Sequence, residues 1–174
     1  AARSQDGRIL GALVNYACHP THHGGDTVLS AGFPGVLADR LRVRGCPVTL
    51  FLNGACGNLH TSDPREGGKG MSHEEAGEAL AEDTGRILDG MAFRRNLRLG
   101  AASVHLTLPF RRVTEDEIAG RTRGAQRFVD PAIYDRLIPG LLKDIAAGEG
   151  CPAEVQALSM DEYALVSVPG EYFV

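Results

Sequence analysis

Tryptophan is absent from this chain, only four cysteines occur, and aromatic residues make up just 6%. Cys18, Cys46, Cys56 and Cys151 include no Cys-x-x-Cys pair and are too sparse for a disulfide scaffold. Buried free thiols are the simplest account of them. Cys18 and Cys56 nevertheless fall in polar turns where a thiol could line a pocket. Basic runs are missing too: Arg94-Arg95 and Arg111-Arg112 are isolated doublets in a chain of net charge −4. Nucleic acid is therefore excluded as a partner, because phosphate backbones are held by clustered Lys and Arg. No apolar stretch approaches the roughly 18–20 residues that cross a bilayer, so no transmembrane segment is expected. The N-terminus, Ala1 to Gly7, has neither an initiator Met nor a signal-peptide core, and the C-terminus stops on Tyr172-Phe173-Val174 without a cap. The N-terminus is expected to be either processed or cut from a longer polypeptide, and the C-terminus is expected to be cut.

What is present suits one α/β domain over 1–174, a mixed β-sheet with flanking helices. The chain is 43% apolar and 23% charged, as ordinary globular domains are. Residues 8–16 predict a buried strand, a helix runs from near Pro34 to Gly45, and Pro47–Leu52 is a second strand. Val36, Leu37 and Leu41 would face the core. Thr61–Gly70 reads as a loop. Ser72-His73-Glu74-Glu75 is a capping box opening a helix to Asp89, with Ala76, Leu80, Thr84, Ile87, Leu88 and Met91 on its apolar face. Leu97–Leu108 alternates as a strand. Thr114–Glu117 is a second capping box, and Asp130-Pro131 opens a helix to Gly148 on which Tyr134, Leu137, Leu141 and Ile145 recur. Glu154–Leu158 and Tyr163–Val168 then form a hairpin.

Three polar turns each follow an apolar run, where open α/β sheets bind ligands. After Ile9–Tyr16 comes Ala17-Cys18-His19-Pro20-Thr21-His22-His23, with Asp26 close behind. Neutral imidazole is a common zinc ligand, and His19, carried directly on the strand end and stiffened by Pro20, is the best placed. His22 and His23 are expected in exposed loop. After Pro47–Leu52 comes Asn53-Gly54-Ala55-Cys56-Gly57-Asn58-Leu59-His60-Thr61, whose small residues let backbone N–H groups approach an oxyanion. It is neither a phosphate loop nor a Gly-x-Ser-x-Gly elbow. After Tyr163–Val168 comes Pro169-Gly170-Glu171, a carboxylate beside the core. Were the three strands parallel neighbours, His19, His60 and Glu171 would line one crevice. Ser30 and Ser62 are the hydroxyls nearest the first two turns. His105 is expected as a satisfied structural residue and His73 as solvent-facing.

Four segments in order, Asn15-Tyr16-Ala17-Cys18-His19-Pro20-Thr21, Leu29–Gly35, Phe51–Asn58 and Val168–Phe173, resemble the neutral/alkaline (non-lysosomal) ceramidase-like family across nearly the whole chain. The likeness is strongest to its bacterial members of unassigned substrate. It implies that the chain is an internal fragment of a larger catalytic domain in which zinc activates water to cleave an N-acyl amide. It also implies metal ligation by His19 and Glu171. The family's earlier histidine and later tyrosine have no counterpart here, so this piece alone is expected to bind zinc poorly. Gly57-Asn58-Leu59-His60-Thr61 stands where the family has Gly-Asp-x-Ser-Pro, and Gly32 stands where an Asp is usual. These departures imply a small-molecule or lipid-like amide substrate other than, or in addition to, ceramide. His60, Asn58 and Asn53 are the expected catalytic contacts. Relatives are often secreted or periplasmic. A non-catalytic binding module of the same fold is the alternative.

Overall fold

The computed structural model describes residues 1–23, 27–61, 70–127 and 129–173. Asp26, Ser62 and most of the expected Thr61–Gly70 loop lie outside the described residues. The content is mixed α/β, with two small sheets and helices, and the chain divides into two compact units: 1–97 with 170–174, and 98–169.

In the first unit, the short strand β1 (Ala2–Arg3) runs antiparallel to β2 (Ile9–Tyr16), and β2 pairs in parallel with β3 (Thr49–Asn53). Ala12 lies opposite Thr49, Val14 opposite Phe51 and Tyr16 opposite Asn53, so both strands end side by side. Helix α1 (Gly32–Val43) connects them, and Gly45 at φ +90° ends it by letting Cys46 N–H bond back to Leu41 O at 2.9 Å. Leu37 and Leu41 are fully buried with Ala12, Cys46 and Ala81, and Val14 and Phe51 of the sheet pack on the same cluster. Burying one such leucine stabilises the unit by roughly 1.5–3 kcal/mol. The opposite face of the sheet carries exposed Leu13, Leu50 and Leu52.

Helix α2 (His73–Asp89) begins at the expected capping box: Ser72 Oγ accepts from Glu75 N–H, and the Glu75 carboxylate accepts from Ser72 N–H. Its packed face is the expected one in part: Thr84 is buried, and Leu80 and Leu88 pack on the core cluster. Gly77, Ala81, Thr84 and Gly85 are buried, whereas Ile87 is exposed. Close approach is the reason: a Cβ on Gly77 would stand 2.5 Å from Val36 Cβ and 2.8 Å from Phe33 O. α1 and α2 meet closely through small residues, with Leu80 and Leu88 packed against the same core cluster beside them.

The second unit is an antiparallel meander of β4 (Leu99–Pro109), β5 (Gly150–Met160) and β6 (Tyr163–Val166), with Leu99 opposite Met160 and Pro109 opposite Gly150. The expected hairpin is present, with its first strand extended in both directions. The expectation that Tyr163–Val168 neighbours the two parallel strands is corrected, because it pairs with β5 instead. A short β6 hydrogen-bonded through a tight turn at Asp161 (φ +51°) satisfies its backbone locally. His105 lies on β4 and is exposed. Helix α3 (Glu115–Ile118) starts at the Thr114–Glu117 capping box. Helix α4 (Pro131–Ala147) starts at Asp130, whose side chain accepts from Ala132 N–H. Of the residues that recur along it, Tyr134 is buried and Leu137 and Leu141 are exposed; Leu142 is buried as well.

Glu117 fastens this unit's connecting segment. Its side chain is buried, with Arg111 Nη2 at 2.8 Å and Thr114 N–H at 3.1 Å. The Arg111 guanidinium, helped by the Thr114 N–H, pulls its pKa down to about 2. A depressed carboxylate contributes stability that is complete above its unfolded value and vanishes as pH falls through the folded one. Acid titration from about pH 4.5 to about 2 should therefore loosen 111–126, read by amide exchange. Glu117→Gln should be loosened already at neutral pH and lack that acid step. Separately, Gly77→Ala should cost about 1–3 kcal/mol through overpacking. Gly140→Ala, where a Cβ meets nothing within 4 Å, should gain about 0.5–1 kcal/mol in denaturant unfolding.

Candidate functional site

The paired ends of β2 and β3 bring their following turns into contact. Gly54 N–H donates to Tyr16 O at 3.0 Å and His19 N–H donates to Leu59 O at 3.0 Å, so the two turns continue the pairing beyond the sheet. Gly54 is needed there, since a Cβ would lie 3.0 Å from that of Ala17. Asn53 bridges the same seam. In the orientation that satisfies its neighbours, its amide nitrogen donates to Cys18 O at 2.9 Å and Tyr16 O at 3.2 Å.

Side chains then cross between the turns. The His19 and His60 rings are 5.2 Å apart, Thr21 Oγ1 is 3.3 Å from His60 Nδ1, and Thr61 Oγ1 is 2.9 Å from His22 Nε2. Phe33, almost fully buried, meets Tyr16, His22 and Phe51 edge-on at 6.2, 6.0 and 5.5 Å. The expectation that His22 and His23 lie in exposed loop, and that His73 faces solvent, is corrected. All three are half-buried, with ring separations of 6.1 Å for His22–His73 and 4.7 Å for His23–His73. The N-terminus of α2 thus abuts the first turn, with its His73 ring tilted or edge-on to those of His22 and His23. Ser30 Oγ accepts from Gly32 N–H at 3.0 Å, a local turn ahead of α1.

The third expected segment reaches this site by another route. Although β6 belongs to the other sheet, residues 170–173 return to the first unit, and Gly57 N–H donates to Tyr172 O at 2.7 Å. Glu171 is exposed beside that bond. Thus His19 and the segment carrying Glu171 are both fastened to the Asn53–His60 turn, one at Leu59 and the other at Gly57. Asn58 is exposed on the same turn.

A cavity of about 280 Å³ opens next to His60, lined by Tyr16, Cys18, Phe33, Thr61 and Met71 and by Ala76, Ala79, Leu80 and the Asp83 carboxylate of α2. Its lining mixes apolar and polar groups. The Cys18 thiol is pushed up in pKa by burial and then by neighbouring Cys56, so it stays protonated and is a poor nucleophile at neutral pH. The turn's donors are largely committed to structure: the N–H groups of Gly54, Gly57 and Leu59 and the Asn53 amide all bind protein carbonyls. Zinc takes three or four donors. Among the described residues, no group of three or more His, Cys, Asp or Glu is placed to hold a metal ion. His19 and Glu171 are candidate donors, and these residues alone do not complete a zinc shell. Against protein-family models, curated proteins and solved structures, this chain has no match.

Thr21, Thr61 and His22 carry contacts that sequence reading passed over. The signal was the β2–β3 offset, which the pairs at 39 positions' separation nearly continue. The Gly57–Tyr172 contact is testable on its own. A Cβ at 57 would meet the Phe173 ring at 2.7 Å. Gly57→Val should release 170–173 and raise chymotryptic cleavage there about tenfold, the equivalent of roughly 1.4 kcal/mol. Gly170→Ala, with open space around its Cβ, should leave cleavage unchanged.

Proposed function

We propose that this chain is part of a zinc-dependent hydrolase of the neutral ceramidase-like class, cleaving an amide (N-acyl) bond in a substrate other than, or in addition to, ceramide. The observation that carries the reading is the convergence on one turn. His19 N–H bonds Leu59 O, Tyr172 O accepts from Gly57 N–H, and the His60 ring stands 5.2 Å from that of His19. An imidazole, a carboxylate-bearing segment and a second imidazole thereby share one end of the β2–β3 pair, beside a cavity of mixed polar and apolar lining.

Roles follow from position and chemistry. His19 and Glu171 are two donors of a shell that further ligands would have to close. A closed zinc site lowers the pKa of bound water to about 7. His60, at the cavity edge with one ring nitrogen near a hydroxyl, is the group suited to move a proton. Asn58, exposed on the turn, is the side chain there that could contact substrate, whereas Asn53 holds the two strand ends together. The cavity would receive the apolar part next to the scissile bond.

Metal analysis of the native polypeptide tests this. About one tightly held zinc per chain is expected, with turnover of an N-acyl para-nitroanilide. His19→Ala and Glu171→Gln should each weaken zinc retention and activity about tenfold to a hundredfold or more. His60→Ala should keep the metal and lose turnover. A native protein that holds no zinc and hydrolyses no amide would sink the enzyme reading and leave a binding module of this fold. Unchanged turnover in His60→Ala would remove His60 alone.

A further inference from the structure

Two thiols fall inside the seam that joins the turns. Its hydrogen bonds link Gly54 N–H to Tyr16 O and His19 N–H to Leu59 O, each at 3.0 Å. Cys18 lies between those anchors on the first turn, and Cys56 lies between them on the second. The Asn53 amide spans the gap: one end donates to Cys18 O at 2.9 Å, and the other stands 3.2 Å from Cys56 Sγ. Both thiols are free and almost fully buried. Backbones joined by ladder hydrogen bonds run about 4.7–4.9 Å apart. That separation falls within the roughly 4.4–6.8 Å between Cα atoms that a disulfide spans. After burial, the neighbouring Cys56 is the next cause of the raised Cys18 pKa, so the two sulfurs stand within electrostatic reach.

We propose that Cys18 and Cys56 form a redox-sensitive pair, closed to a disulfide by a hydroperoxide and reopened by a dithiol. Cys18 lines the cavity, so a small hydroperoxide meets it first. Its sulfur attacks the outer peroxide oxygen, the O–O bond breaks, and an alcohol or water leaves with the thiol proton. Cys18 is then a sulfenic acid. The Cys56 sulfur displaces the hydroxyl group from it, and water leaves with the Cys56 proton. Two thiols have given two electrons to the peroxide. A dithiol reverses the closure by exchange and is itself oxidised to a cyclic disulfide. Because Cys18 is held protonated at neutral pH, closure is slow there and quickens as pH rises. The product ties the turn carrying His19 covalently to the turn carrying His60. Cys46 is the internal comparison: it is equally buried, but its Sγ sits 3.4 Å from Val48 O within the core cluster. Cys151 is exposed in the other unit.

The test treats the full chain, carrying Cys151→Ser to remove the exposed thiol, with hydrogen peroxide between about pH 7 and about pH 9. Remaining thiols are alkylated in denaturant, and unreduced peptides are mapped by mass. A Cys18–Cys56 link with the loss of two hydrogens is expected, forming about tenfold faster per pH unit and removed by dithiothreitol. Cys46 should stay unmodified, which separates reaction within the fold from reaction after unfolding. In the linked protein, the His19 and Gly54 N–H groups should exchange with solvent about tenfold more slowly. Cys56→Ser should instead leave Cys18 as a sulfenic acid that a 1,3-diketone traps. Links to Cys46, or both thiols recovered unlinked at the highest pH, overturn the pairing. Faster exchange at His19 and Gly54 in the linked protein overturns the claim that the bond fastens the turns. Neither result depends on whether the chain hydrolyses an amide.

Discussion

Parallel pairing of Ile9–Tyr16 with Thr49–Asn53 is the constraint from which the site follows. A slip of one residue would turn every side chain of a strand to the other face. Ala12, Val14 and Phe51 would leave the core, and Leu13 and Leu50 would enter it. The buried cluster around Leu37 and Leu41 therefore holds the register. Once held, the register ends both strands at the same level, Tyr16 opposite Asn53. The polar residues that follow are then forced alongside each other, and hydroxyls and imidazoles far apart in sequence become partners.

Around that seam the structure economises on side-chain volume. Gly54 and Gly57 admit neighbouring chain where a methyl would collide, and Gly77 lets α2 approach α1 closely enough to wall the cavity. Phe33 supplies the bulk instead, touching the strand residues Tyr16 and Phe51 as well as His22 of the turn. One buried aromatic thus links core packing to the geometry of the histidine-rich loop.

Local signals carried well from the sequence. The capping boxes at Ser72 and Thr114 and the Asp130 cap form what their chemistry specifies; the apolar run of β2 forms the expected strand, but only Ala12 of it is buried, because its other face is exposed. Which face of a helix is buried was less legible. Hydrophobicity pointed to Ile87, which is exposed, whereas Leu80 and Leu88 pack beside the close Gly and Ala contacts of α2, and of the α4 residues that recur, Tyr134 is buried but Leu137 and Leu141 are not. Apolar character says that a residue gains from burial, and partner shape decides whether it gets it. The third strand was misplaced because an apolar run is equally compatible with parallel and antiparallel neighbours. Its downstream carboxylate still reaches the first unit, since five residues past a strand end suffice to redirect the chain. Strand-end position marked His19 and His60, whereas Thr21 and Thr61 carry no signature until the register is known.

The contact between Gly57 and Tyr172 joins positions 115 apart, and the whole of 98–169 lies between them in sequence. Closing so long a loop is entropically slow unless the intervening chain condenses first. The meander of β4, β5 and β6, with its local turn at Asp161, supplies that condensation. The carboxylate would arrive at its turn only after an independent sheet has shortened the tether, making completion of the site one of the last events in the maturation of the chain.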